Sequence, residues 1–167
     1  MERGDYLKSI REQFEVHPVC ALLGPRQAGK TTLAHQYAGL FESRKAVFFD
    51  LENPLDLAQL ENPMLALQDY KNCLIVIDEV QLKPHLFPVL RVLADRKESR
   101  NRYLILGSAS RDLIKQSSES LAGRIGYIEV MPFSLSEVGD SRQLWLKGGF
   151  PPSYLTETDQ ASFLWRQ

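Results

Sequence analysis

Residues 24–31 read Gly24-Pro25-Arg26-Gln27-Ala28-Gly29-Lys30-Thr31, the spacing G-x-x-x-x-G-K-T, and no other stretch limits the fold so tightly. The pattern suits a loop that cradles phosphate. Gly24 and Gly29 lack side chains, so the backbone can curl and aim N–H groups inward at closely spaced anionic oxygens. A helix starting near Gly29 adds unpaired N–H groups and the positive end of its dipole. Lys30 can reach the β and γ phosphates as a mobile charge, and the Thr31 hydroxyl can ligate Mg²⁺. The flanks match this reading. Val19-Cys20-Ala21-Leu22-Leu23 is an apolar run of strand length, and Leu33, Ala34, Tyr37 and Ala38 recur at helical spacing. A glycine turn capping an ordinary helix is the bland alternative.

The 167 residues suffice for one α/β domain with its own core. Lys plus Arg number 20 against 21 for Asp plus Glu, a net charge of -1 that gives no global basic excess for nucleic acid and leaves a local patch open. Cys20 and Cys73 both lie in apolar runs without a Cys or His at metal-ligand spacing, which predicts buried, reduced, structural thiols. No run approaches the ~20 apolar residues of a membrane span. The charged start, Met1-Glu2-Arg3-Gly4-Asp5, lacks a signal-peptide core, so a cytoplasmic location is expected.

Taken in order, residues 5–15 place Tyr6, Leu7, Ile10 and Phe14 on one helical face, which either packs or lies near a nucleotide base. Ala46-Val47-Phe48-Phe49-Asp50 is a second strand. Asp50 ends it either near a Mg²⁺ shell or as a turn residue. Asn53-Pro54 and Asn62-Pro63 punctuate a helical region from about 54 to 69. Cys73-Leu74-Ile75-Val76-Ile77 suits a central strand buried on both faces, and it exits into Asp78-Glu79. Buried carboxylates need partners, and Mg²⁺ with an attacking water supplies them. Asp78 is the candidate metal ligand and Glu79 the candidate to polarise the water. A strand-end turn with solvated acids is the alternative.

A helix from Pro84 to about Lys97 carries Leu86, Leu90, Leu93 and Ala94, with Pro88 tolerable in its first turn. Arg102-Tyr103-Leu104-Ile105-Leu106 is another strand, ending in Gly107-Ser108. Ser108 either senses the γ-phosphate or orients the water, or is a plain turn serine. Ser110 can cap a short helix carrying Leu113 and Ile114, with a polar loop from Gln116 to Ser120. Gly126 to Val130 is the last strand, and Ser134 to Val138 a short capped helix with Glu137 three residues on. Five strands alternating with helices call for a mostly parallel sheet, with ligands at the carboxyl ends of the strands.

Gly24 to Leu33, Ile75-Val76-Ile77-Asp78-Glu79-Val80-Gln81, Gly107-Ser108, Leu121-Ala122-Gly123-Arg124 and Gly148-Gly149-Phe150-Pro151 together resemble prokaryotic AAA-type ATPases, the group whose ATPase core usually precedes a conserved C-terminal domain of unknown function. The resemblance covers nearly the whole chain. It implies a three-layer α/β P-loop fold with strand order 5-1-4-3-2, a Walker A motif at 24–31 and a Walker B motif at 74–79. It implies ATP and Mg²⁺ as cofactors, with Gly24 to Thr32 binding nucleotide and Thr31 and Asp78 binding metal. Lys30, Glu79, Ser108 and Arg124 would be catalytic, Ser108 as a sensor. Arg124 faces phosphate or bridges subunits, or else makes a salt bridge or helix-end contact. Residues 1–140 would be the ATPase domain. Residues 141–167, ending in Trp165-Arg166-Gln167, would begin a C-terminal region, with lid and effector domain lying beyond.

The leading expectation is Mg²⁺-dependent ATP hydrolysis. A nucleotide-gated switch or docking module with little turnover is the alternative, and a homo-oligomer or C-terminal effector domain is the expected partner. A small-metabolite phosphotransferase would need a lid rich in arginine, where this chain offers Arg111 and Arg124 in isolation. The Asn-Lys-x-Asp motif of GTPases is absent.

Overall fold

The computed structural model describes residues 1–41, 45–96 and 98–165, and of Arg111 the backbone alone. The sequence readings at Lys97, at the Arg111 side chain and at Arg166-Gln167 lie outside the described residues.

Five short apolar segments form the strands: Val19–Leu23 (β1), Ala46–Asp50 (β2), Leu74–Asp78 (β3), Arg102–Gly107 (β4) and Ile125–Glu129 (β5). They make one parallel sheet in the order β2-β3-β4-β1-β5, the expected order read from the other edge. A parallel sheet must be covered on both faces, and the alternation of side chains along each strand divides them between two cores. Val19, Ala21, Leu23, Ile75, Ile77, Tyr103 and Ile105 face one way, against Leu60, Leu67, Leu86, Phe87, Leu90, Leu93 and Leu113. Cys20, Leu22, Leu74, Val76, Leu104, Leu106 and Ile128 face the other, against Leu7, Ile10, Phe14, Leu33, Ala34 and Tyr37.

The second face is covered by Gly4–Val16 (α1) and Lys30–Gly39 (α2). Leu7, Ile10 and Phe14 of α1 are buried there, so packing accounts for that helix. The first face is covered by Pro63–Leu67 (α4), Leu86–Ala94 (α5) and Arg111–Ser120 (α6), together with Leu60, which follows the exposed Pro54–Gln59 (α3). The region from 54 to 69 is two helices because each Asn-Pro pair starts one: Asn53 Oδ1 accepts the Leu55 N–H at 3.0 Å, and Asn62 Oδ1 accepts that of Leu65 at 3.3 Å.

One reading needs correction. Gln116 to Ser120 is the second half of α6, not a polar loop. Two of its hydroxyls bond within the helix: Ser117 Oγ donates to the Leu113 carbonyl at 2.7 Å and Ser118 Oγ to that of Lys115 at 2.9 Å. Ser110 caps the start, accepting the Leu113 N–H at 3.2 Å. The bounds of β3, β4 and β5 also move by one residue, so β3 includes Asp78, in register with Asp50 of β2.

After the sheet come Leu135–Val138 (α7), Ser141–Lys147 (α8), Pro151–Tyr154 (α9) and Asp159–Trp165 (α10). Both cysteines are buried and free, and burial pushes the Cys20 thiol up to about 12, keeping it neutral and unreactive. No described helix is long and apolar enough to cross a membrane.

Candidate nucleotide site

In a parallel sheet the segments leaving the carboxyl ends of the strands gather at one rim. The loop after β1 lies there, held by its neighbours. The Gly24 N–H donates to the Gly107 carbonyl at the end of β4 at 3.3 Å. A Cβ at Gly24 would sit 2.1 Å from the Val130 carbonyl oxygen, so the close approach of two backbones requires glycine. Gly29 caps α2 at a φ of 90°, the left-handed region where glycine is at ease.

Lys30 opens α2 and is almost wholly buried. Its Nζ donates to the carbonyls of Gly24 at 3.0 Å and Pro25 at 2.9 Å, arching over the loop that precedes it. Burial lowers its pKa below the ordinary lysine value, while the carboxylates of Glu79 and Asp78 oppose that shift and Arg26 adds to it. The next side chain makes the long reach: Thr31 Oγ1 donates to Asp78 Oδ2 at 2.6 Å. Because β4 lies between β1 and β3, this bond spans a strand and joins the loop to the acidic pair.

Asp78 Oδ1 accepts the Glu79 N–H at 2.8 Å. Glu79 holds a φ of 53°, a left-handed conformation that costs a non-glycine residue on the order of 1–2 kcal/mol. It turns the chain from β3 into a single 3-10 turn, Val80–Leu82. Gln81 Nε2 donates to Glu79 Oε2, holding one carboxylate oxygen.

These groups line a cleft of about 510 Å³, formed by Arg26, Gln27, Gly29, Lys30, Thr31, Thr32, Glu52, Asp78, Glu79, Pro151 and Pro152. The volume is that of a small-molecule pocket. Gly24, Pro25 and Ala28 form the back of the loop. Ser108 follows β4 between the two halves of the site but is not among the cleft's lining residues. Asp50 is likewise outside it. Its Oδ1 accepts the Glu52 N–H at 2.9 Å, the turn role. Arg124 lies just before β5, at the opposite rim of the sheet, where Nε and Nη2 reach the Asp95 carboxylate at 2.6 and 2.9 Å. In its own chain it makes the salt bridge rather than a contact with the cleft.

The donors fit Mg²⁺. One hydroxyl and one carboxylate oxygen, already adjacent, are hard ligands, and such an ion takes its remaining ligands from phosphate and water. Among the described residues no cluster of three or more His, Cys, Asp or Glu could hold a metal by itself.

Four contributors escaped the sequence reading. Glu52, on the turn after β2, pairs with Arg26 of the loop at 2.5 Å. Pro151 and Pro152 arrive from α9, and the Gly-Gly-Phe-Pro run was their one local signal. Arg3 reaches the loop from behind, with Nη1 donating to the Ala28 carbonyl at 3.0 Å.

Comparison with known proteins agrees with this fold. Residues 16–139 match a family described as "AAA domain". The chain is 47% identical over 168 aligned residues to an uncharacterized protein of Mycobacterium bovis and to one of Mycobacterium tuberculosis; 99% of the chain is matched, and it spans 37% of the length of each relative. Among solved structures it is similar to a Walker-type ATPase of Pyrococcus abyssi, with a TM-score of 0.56, 18% identity and coverage of 99% of this chain and 62% of that one. It is also similar to the P-loop NTPase domain of a sigma-54 transport activator from E. coli, with a TM-score of 0.52, 16% identity and coverage of 80% of this chain and all of the other. At these identities the structural likeness concerns the fold.

Proposed function

The chain belongs to the AAA domain family, and on that premise we propose that it binds ATP with Mg²⁺ at the β-strand rim and hydrolyses the terminal phosphate. The observation that carries this reading is the 2.6 Å bond from Thr31 to Asp78, which puts a phosphate loop and an acidic pair on one cleft. Lys30 leaves its two carbonyl partners for the β and γ phosphates. The Gly29 and Lys30 amides and the start of α2 hold the remaining anionic oxygens. Thr31 and Asp78 hold Mg²⁺, which would neutralise charge developing on the phosphate oxygens. Glu79 accepts a proton from the attacking water with the oxygen that Gln81 does not occupy. Ser108 reads the terminal phosphate from the end of β4, and Arg124 acts on a neighbouring subunit's nucleotide.

Residues 1–140 form the ATPase module in this reading, and 141–167 begin the region that passes its state on, to a further domain or a second copy, in the cytoplasm. The hold of Gln81 on Glu79 favours a second version, in which ATP orders the cleft for a partner and turnover is slow.

An ATP-binding titration run beside a phosphate-release assay tests both. Lys30→Ala is expected to abolish binding. Glu79→Gln is expected to bind as wild type does and to stop hydrolysis. Undiminished hydrolysis by Glu79→Gln would remove Glu79 from its role, and wild-type binding without phosphate release would leave the switch.

A further inference from the structure

Arg3 is a charged side chain that the fold buries almost completely, only 4% of it exposed. Such burial is unfavourable unless every donor is engaged, and each arm of this guanidinium has a partner. Nε and Nη2 reach Glu137 at 2.6 and 3.1 Å. Nη2 also donates to the Met131 carbonyl at 2.8 Å. The flat face lies 4.3 Å from the Tyr6 ring centre and 5.2 Å from that of Phe133. Glu137 is fixed in turn, accepting both the N–H and the hydroxyl of Ser134 at 2.9 and 3.0 Å. The fork is thus locked before its remaining arm, Nη1, meets the Ala28 carbonyl at 3.0 Å.

That arm touches the peptide that matters most for phosphate. A peptide unit is planar and trans, so its C=O and the following N–H point in opposite directions. Ala28 is fully buried behind the loop, whereas Gly29 lines the cleft. Holding the Ala28 carbonyl to the rear therefore turns the Gly29 N–H forward. Gly29 sits at a φ of 90° and tolerates either sign of φ, so nothing in its own sterics prevents this peptide from flipping over.

We propose that Arg3 is a positioning residue for the phosphate loop: it pins the Ala28–Gly29 peptide so that the Gly29 N–H faces the polyphosphate. This rests on the reading that the loop binds ATP. The same guanidinium ties that peptide to residues 131–137, so the loop and the segment leaving the sheet share one anchor.

The test compares wild type, Arg3→Met and Glu137→Gln by ATP titration with Mg²⁺ and by thermal melting. Arg3→Met is expected to weaken ATP binding roughly 10- to 100-fold, the loss of one hydrogen bond to a charged group. Glu137→Gln keeps an acceptor for Arg3 and leaves the Ala28 bond in place. It is expected to lower Tm while ATP affinity stays within about twofold of wild type, which separates loop orientation from bracing. Where Arg3→Met does not fold, Arg3→Lys keeps the charge, but one ammonium cannot serve Glu137, Met131 and Ala28 in the plane of the fork. It too is expected to lose affinity, about fivefold or more. A folded Arg3 variant that binds ATP within twofold of wild type overturns the proposal. A wild-type chain that does not bind ATP overturns instead the reading beneath it.

Discussion

Asp78 is asked to do two things with two oxygens: Oδ1 takes the Glu79 N–H, and Oδ2 takes the Thr31 hydroxyl. Asp78→Asn preserves the shape and one acceptor but removes the charge that would face Mg²⁺. The expected result is a selective loss. Affinity for Mg·ATP falls toward that for metal-free ATP, which itself changes little, and titrations with and without Mg²⁺ read the difference directly. Equal losses in both titrations would mean that Asp78 shapes the loop instead. Glu137 supports a prediction on pH. Burial would raise its pKa, but the bonds from Arg3 and Ser134 outweigh that and hold it below the ordinary glutamate value. A lowered native pKa means that the pair's stabilisation is complete above the unfolded value of about 4.3 and is lost as pH falls through the native value. Glu137→Gln is therefore expected to lower Tm most at neutral pH and to converge on wild type in acid, which flattens the acid limb of Tm against pH. At this scale the legibility of the chain divides by sequence distance. Gly24 to Thr32, Asp78 and Glu79 were readable because each motif carries its chemistry within a few neighbouring residues. Arg3, Glu52 and Pro151 were not, because nothing near Arg3 records that Ala28 and Glu137 will surround it, nor anything near Glu52 that Arg26 will meet it.

The strands were legible for a different reason: a buried parallel strand must be apolar on both faces, and Leu74 to Ile77 admits no other use. Ile77 is fully buried toward one core while Val76 faces the other. Ile77→Ala is expected to cost about 2–5 kcal/mol of unfolding free energy in urea titration, since rigid neighbours on both sides cannot close the cavity. Helix extent was harder to read. The run Gln116 to Ser120 resembles a loop in composition, and it continues α6 because Ser117 is buried against the sheet, 2.9 Å from the Tyr127 hydroxyl, with its own hydroxyl on the Leu113 carbonyl. Propensity scales do not see that compensation. The phosphate loop behaves as an element too, clamped between β4 and the exit of β5. Gly24→Ala would push a methyl against the Val130 carbonyl at 2.1 Å, a backbone contact that cannot rotate away. Overpacking of this kind costs about 1–3 kcal/mol. The expected outcome is a lower Tm together with weaker ATP binding, because relief requires moving the loop itself.

Across the whole molecule, the cleft draws on most of the chain's length: the loop after β1, the turn after β2, the acidic exit of β3, and Pro151 and Pro152 from beyond the sheet. The last of these links the helices α8 to α10 to the cleft. A Cβ added at Gly29 would meet Pro151 Cγ at 3.6 Å, so the wall of the cleft stands one methyl group away from the floor of the loop. A ligand that binds the native state alone stabilises it by RT ln(1 + [L]/Kd), about 2.7 kcal/mol at a hundredfold excess over Kd. For a chain of this size that is a rise in Tm of roughly 5–10 °C. How the stabilisation is distributed is the sharper question. If Pro151 and Pro152 close on bound nucleotide, amide exchange should slow from 148 to 165 as well as in the loop at 24–32, since α9 is continuous with Gly148 and packs against α8 and α10. Replacing both prolines with alanine should abolish the distant protection and leave that of the loop. Protection confined to 24–32 and 78–79 in the unaltered chain would make the prolines a passive wall, and the nucleotide's state would then have to leave the site by another route, through Arg3 and residues 131–137.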